Sequence, residues 1–145
     1  ETGHVRVVDY ASAADCGVIL HPRSLGAQIN GGSIQGFGHA LNQRRAYDQH
    51  WGLPVAKRFY SSKPPTILDV PLHMKWGALD LPDPQTPVGA KGIGEPPQGS
   101  GAGAVLSAVA DAIGDEHLRR TPVTPDMILS SLEVGPDGQL TAHIG

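Results

Sequence analysis

Residues 87–115 read PVGAKGIGEPPQGSGAGAVLSAVADAIGD. The stretch divides into a turn-rich loop, GAKGIGEPP, and a small-residue run with helical spacing. Val105, Ala108, Val109 and Ala112 fall at i, i+3, i+4 and i+7, the one-face pattern of a helix expected from Ser100 to Ile113. Gly114 stands where a C′ glycine ends such a helix. One carboxylate, Glu95, sits between glycines and the Pro96–Pro97 pair. Two readings of it are open. It is a solvated or helix-capping carboxylate, or it is a general base whose pKa is raised by partial removal from water. The prolines would stiffen the backbone after it, and the glycines before it would let another backbone or a ligand come close.

Working outward, a second helical pattern covers Leu25 to Tyr47, with Ile34, Phe37 and Leu41 on one face. Glycines at 31, 32, 36 and 38 each cost a free helix about 1 kcal/mol relative to alanine. Such a helix is expected to press closely against another backbone or a ligand. Val5–Tyr10 reads as a strand from its β-branched residues, followed by a loop to Pro22. Residues 48–87 read as irregular, with one strand inside Ile67–Trp76 limited by its prolines. Thr124 and Pro125 mark the N-cap and first position of a short last helix. VGPDGQLTAHIG reads as a turn and strand or as a loose tail. The fold class expected is α+β: a mixed sheet with helices packed on it, completing a domain begun elsewhere.

Composition narrows the function classes. The net charge of −3 offers no electrostatic basis for binding nucleic acid or an anionic membrane. No apolar run nears the roughly 20 residues of a membrane span. The single cysteine, Cys16, excludes an internal disulfide or a Cys-rich iron–sulfur site within these residues and reads as a small buried hydrophobe. Gly (19) and Pro (13) lie well above their usual share of about 12% together, which suits a folded chain of tight turns. GIGEPP lacks the spacing of a phosphate loop, and a carboxylate at a helix N-terminus would repel phosphate. The seven histidines are scattered without the i, i+4 pairing of a helical zinc site.

VGAKGIGEPP followed by an Ala-rich helix resembles the C-terminal signature of the molybdenum hydroxylases, the xanthine dehydrogenase and aldehyde oxidoreductase family. TGHVRVVDYASAADCGVILHP, AQINGGSIQGFGHAL and RTPVTPDMIL resemble further family segments in the same order, from residue 2 to 132. The resemblance implies that Glu95 is the general base, taking a proton from a hydroxyl on molybdenum. Gln28 then corresponds to the glutamine that hydrogen-bonds the pterin cofactor. Gly92, Ile93 and Gly94 correspond to the backbone leading to the metal site. Gly31, Gly32, Gln35 and Gly36 lie on the helix that packs near the cofactor. Asn30 and Ala27 depart from the family's usual Glu and Gly.

The resemblance also implies oxidation of an aldehyde or N-heterocycle with water as oxygen source, and a molybdenum–molybdopterin cofactor shared with the rest of the large subunit. It implies 2Fe-2S clusters and FAD in partner chains, and a cytoplasmic enzyme, some relatives being exported with a partner. The alternative is a structural or assembly subunit of the same complex. Residues 1–87 are expected to carry the strand, glycine-rich helix and irregular segment, 88–132 the catalytic loop and helices, and 133–145 a tail. The abrupt opening, ETGHVRVVDY, reads as the start of a fragment or processed piece.

Overall fold

The computed structural model describes residues 2–134 and 140–142. Strands β1 (Asp9–Asp15) and β2 (His73–Leu79) pair in parallel, with Asp9 opposite His73 and Asp15 opposite Leu79. Parallel strands cannot be joined by a tight turn. Their connection carries helix α1 (Pro22–Leu41) and then a long strap containing α2 (Phe59–Ser62). Helix α3 (Pro96–Ile113) crosses α1, and α4 (Pro125–Ser130) follows. Strands β3 (Leu132–Val134) and β4 (Leu140–Ala142) pair antiparallel. The α+β class holds, with the strands in two separate pairs among the described residues. The tail expected at 133–145 falls partly in this hairpin; residues 135–139 and 143–145 lie outside the described residues.

Three local expectations shift. The first strand starts at Asp9 rather than Val5, because β2 offers backbone partners only from Asp9 onward. Val8 is exposed, and of the three valines only Val7 packs on the core. The glycine-rich helix begins at Pro22, where proline suits a first helical position and His21 Nδ1 accepts the Ser24 N–H at 3.1 Å. It stops at Leu41 rather than Tyr47 because tertiary contacts capture its end. Val123 N–H donates to the Ala40 carbonyl at 2.7 Å, and Arg44 N–H turns away to Ser62 at 3.0 Å. Ile67–Asp69 is a 3-10 turn rather than strand, held by a capping box between Thr66 and Asp69. The strand itself is His73–Leu79, starting just past Pro71.

Helix α3 begins at Pro96, four residues before the expected start. Its buried line is Gly101, Val105, Val109 and Ile113; Ala108 and Ala112, placed by periodicity on the core face, are exposed. An all-small helix gives periodicity little contrast, so packing against α1 sets the buried face. Gly114 ends the helix with φ +91°, a region that favours glycine.

The core is three small clusters strung along α1 and α3. Cys16, Leu25 and Ile29 form one, with Ile93 packed against it. Phe37, Ala40 and Val105 form the second, where Tyr10 meets Phe37 edge-on at 4.8 Å. Val109, Ile113 and Val123 form the third. Cys16 is the buried small hydrophobe expected of it.

Candidate functional site

The glycines of α1 have unequal reasons to exist. A Cβ on Gly36 would run into the Gln98 carbonyl and the Ala102 nitrogen of α3, and one on Gly32 would come within 3.1 Å of Pro97. Gly26 is covered by the Trp76 ring and Gly38 by Pro65. The close neighbour expected for this helix is therefore, at these four positions, protein of the same chain. Gly31 differs: it is helical and exposed, and a Cβ there would meet nothing within 4 Å. Neither conformation nor internal packing requires glycine at that position.

Gly31 lies on an outward stripe of α1 with Gln28 and Gln35, at i, i+3 and i+7. Both glutamines are exposed. The stripe runs about 10 Å along the helix. At one end Gln28 lines a cleft of about 190 Å³ that also holds Cys16, Lys91 and Ile93. At the other, Gln35 lines a cleft of about 370 Å³ with Glu95, Gln98 and His39. Thus Gln28 and Ile93 come together, while Glu95 faces a second cleft further along the same helix.

The loop carrying Glu95 is fixed before and after it. Gly89 accepts from Val18 N–H at 2.8 Å, and Lys91 N–H donates to Cys16 at 2.7 Å, tying the loop to the end of β1. Lys91 Nζ bonds Asp15, whose carboxylate also accepts from Gly17 N–H. The Lys91 ammonium holds the Asp15 carboxyl below its ordinary range, and Asp15 in turn raises Lys91. Ile93 plugs into the core, and Pro96 starts α3. Between these anchors Gly92 and Gly94 have open space where a Cβ would be.

Glu95 occupies the N-cap position of α3, yet its side chain makes no capping bond. Its backbone carbonyl takes the first helical bond, from Gln98 N–H at 2.9 Å. The capping role considered for this carboxylate is therefore not used. The partial burial expected of it is also absent: Glu95 is exposed, because no described element of this chain covers the mouth of its cleft. Gln98, one turn on, reaches back to the His39 ring at 3.2 Å. Sequence reasoning passed over this pair, since 59 residues separate its members and only the α1–α3 crossing joins them. It passed over the Lys91–Asp15 latch for the same reason.

A family model described as a molybdopterin cofactor-binding domain matches residues 1–71. The chain belongs to the molybdenum hydroxylase family. It is 36% identical over 130 residues to the nicotine 6-hydroxylase large subunit of Paenarthrobacter nicotinovorans, covering 88% of this chain and 16% of that protein. It is 33% identical over 131 residues to the 6-hydroxypseudooxynicotine dehydrogenase complex subunit gamma of the same organism, covering 90% and 16%. The quinoline 2-oxidoreductase crystal structure from Pseudomonas putida 86 superposes with a TM-score of 0.77 at 35% identity, over 90% of this chain and 16% of that one. The chain thus spans about 16% of the length of the relatives it matches. No helix among the described residues is long and apolar enough to cross a membrane.

These residues suit a planar, polar cofactor approaching α1 from outside the chain. Gln28 and Gln35 hold their carboxamides outward, with no hydrogen bond to other described residues, and the stripe between them is kept low by Gly31. The 92–94 loop offers backbone that can be approached closely. Among the described residues no group of three or more His, Cys, Asp or Glu could hold a metal ion.

Proposed function

We propose that this chain forms part of the molybdopterin-binding large subunit of a hydroxylase that oxidises an aldehyde or N-heterocycle with water as oxygen source. Glu95 is its general base. The observation that carries this reading is the state of Glu95: an exposed carboxylate, free of capping bonds, held on a loop pinned on both sides. Capping α3 does not account for this carboxylate, which is left available to accept a proton.

When bound, the molybdenum–molybdopterin group supplies the two-electron oxidation and the activation of water. The residues of this chain do the rest of their work by position. Gln28 would hold the pterin through its carboxamide, which can both donate and accept hydrogen bonds. Gly92, Ile93 and Gly94 present backbone to it, with Ile93 as the apolar anchor that keeps the loop from drifting. Glu95 accepts a proton on a carboxylate oxygen and releases it once the product leaves. Desolvation of Glu95 falls to the remainder of the large subunit.

That remainder has a surface to cover. Trp51, Phe59, Tyr60, Ile67, Leu68 and Leu72 are each more than 70% exposed along the strap. Parallel sheets are normally buried on both faces, and no residue of the two-stranded β1–β2 pair is fully buried. The rest of the large subunit is the partner these features fit. An iron–sulfur chain with 2Fe-2S clusters and an FAD-carrying chain or domain complete the complex, which functions in the cytoplasm.

The test is Glu95→Gln in the assembled enzyme, assayed with aldehydes and N-heterocycles and measured for molybdenum. Loss of turnover with metal retained supports the base. Retained turnover makes this a structural segment instead.

A further inference from the structure

The C-terminal end of α1 carries charge that the base reading leaves unused. A cleft of about 500 Å³ opens there, lined by Arg44, Arg45 and Arg120 with Gln43, His39 and Thr121. Its walls are fixed by backbone bonds. Arg44 N–H holds to Ser62, and Val123 N–H, three residues beyond Arg120, holds to Ala40. Two chain segments far apart in sequence thereby both line this cleft.

None of the three arginines has a carboxylate within ion-pair distance among the described residues, where the pairs are Lys91–Asp15 and His117–Glu116. The Asp126 carboxyl is held below its ordinary value first by the Thr124 hydroxyl and only more weakly by Arg120 and Arg44. The end of α1 adds roughly half a negative charge. Three positive charges exceed both, in a chain whose net charge is −3. Like charges gathered without partners cost free energy unless an anion joins them.

The cleft is not isolated. His39, Gln43 and Arg45 also line the cleft that holds Glu95. A molecule with its reacting carbon beside Glu95 can therefore extend past His39 toward the arginines.

We infer that the arginine cleft is a substrate subsite, and that it takes the carboxylate of an aldehyde or N-heterocycle whose other end lies at Glu95. The inference rests on the base reading above. Arg45, which lines both clefts, and Arg120, which lines the arginine cleft alone, bind the carboxylate through paired N–H donors, a geometry that guanidinium matches well.

The experiment measures equilibrium binding of matched probes to the assembled enzyme: 4-carboxybenzaldehyde against benzaldehyde, and quinoline-4-carboxylate against quinoline. Arg45→Ala and Arg120→Ala are compared with the unaltered protein, and molybdenum, pterin phosphate and subunit content are assayed in each. Expected is at least tenfold tighter binding of the carboxylates, lost in both variants while the uncharged probes bind unchanged. Equal binding of charged and uncharged probes overturns the inference, as does a preference that survives both substitutions. Loss of pterin from the variants would assign the arginines to a cofactor phosphate. Loss of a subunit would assign them to an acidic protein surface. Either outcome also overturns it. Glu95→Gln separates the two readings. If the carboxylate preference stands while Glu95→Gln leaves turnover intact, the base reading alone has failed.

Discussion

Gly101 of α3 lies directly against the backbone of Ser33 in α1: a Cβ there would fall 2.7 Å from the Ser33 carbonyl oxygen and 2.9 Å from its Cα. Gly36 meets α3 in the same way from the other side. Ser33 is fully buried and turns its hydroxyl inward to the Ile29 carbonyl at 2.8 Å, so it takes no side-chain space from the crossing. The close approach sets where α3 begins relative to α1, and hence where Glu95 stands relative to Gln35 and His39. Backbone cannot yield as a flexible side chain can. Gly36→Ala and Gly101→Ala should each destabilise by about 1–3 kcal/mol, read as a lowered denaturation midpoint of the enzyme.

Gly31→Ala separates packing from ligand approach. With no neighbour inside the chain, alanine there should favour α1 by about 1 kcal/mol. If the cofactor lies along the Gln28–Gln35 stripe, the same variant purifies with less pterin despite equal or better folding. Unchanged pterin content would remove Gly31 from the cofactor surface.

Glu95→Gln keeps shape and removes the proton acceptor. Turnover should fall about 10²–10⁴-fold, the usual range for a lost general base, with molybdenum content and substrate binding held. Glu95→Asp keeps the acceptor but withdraws it by one methylene, so activity should lie between the two. Equal rates for the Gln variant and the unaltered enzyme would exclude the role.

Gln28→Ala should weaken retention of the pterin and leave the fold intact, because the Gln28 side chain is exposed and makes no hydrogen bond to other described residues. The readout is pterin released on dialysis, compared with the unaltered enzyme. A Gln28→Glu variant keeps the size and loses the donor, and should show the same defect.

The Lys91–Asp15 latch predicts a pH window. Asp15 is held below its ordinary value of 3.8, first by the hydrogen bond from Lys91 and then by Gly17 N–H. A depressed carboxyl contributes stability that is present above its unfolded value and is lost as pH falls through the folded one. Lys91 is raised above 10.5 by the same bond, so its contribution is present below that value and lost as pH rises past the folded one. Amide exchange at Lys91 should be faster in Asp15→Asn than in the unaltered protein at neutral pH. The difference should close as the pH falls below the ordinary carboxylate range. Both groups are solvent-exposed, so the effect is local to the loop rather than global.

Much of the helical layout was legible. Gly114 as terminator, Thr124 and Pro125 as a helix start, and the close packing of the glycine-rich helix all follow from backbone rules that act within a few residues. Strand limits were less so, because Asp9–Asp15 is a strand by virtue of its partner rather than its composition. The face of α3 was also misplaced at Ala108 and Ala112, where small residues give no contrast between inside and outside.

For the site, the sequence alone determined which groups are present and how they are spaced: Glu95 ahead of two prolines, Gln28 and Gln35 two turns apart on one helix, glycines at 31, 92 and 94. Those are local facts, set by covalent order and helical period. Only the tertiary structure decided that Glu95 leaves its helix uncapped and faces His39 and Gln98. Only the tertiary structure latched the Glu95 loop through Lys91 to Asp15, and brought Arg120 to Arg44 and Arg45. Each of these joins residues tens of positions apart. The crossing of α1 over α3 and the hydrogen bonds that pin the connecting loops bring them together, and no local periodicity records that.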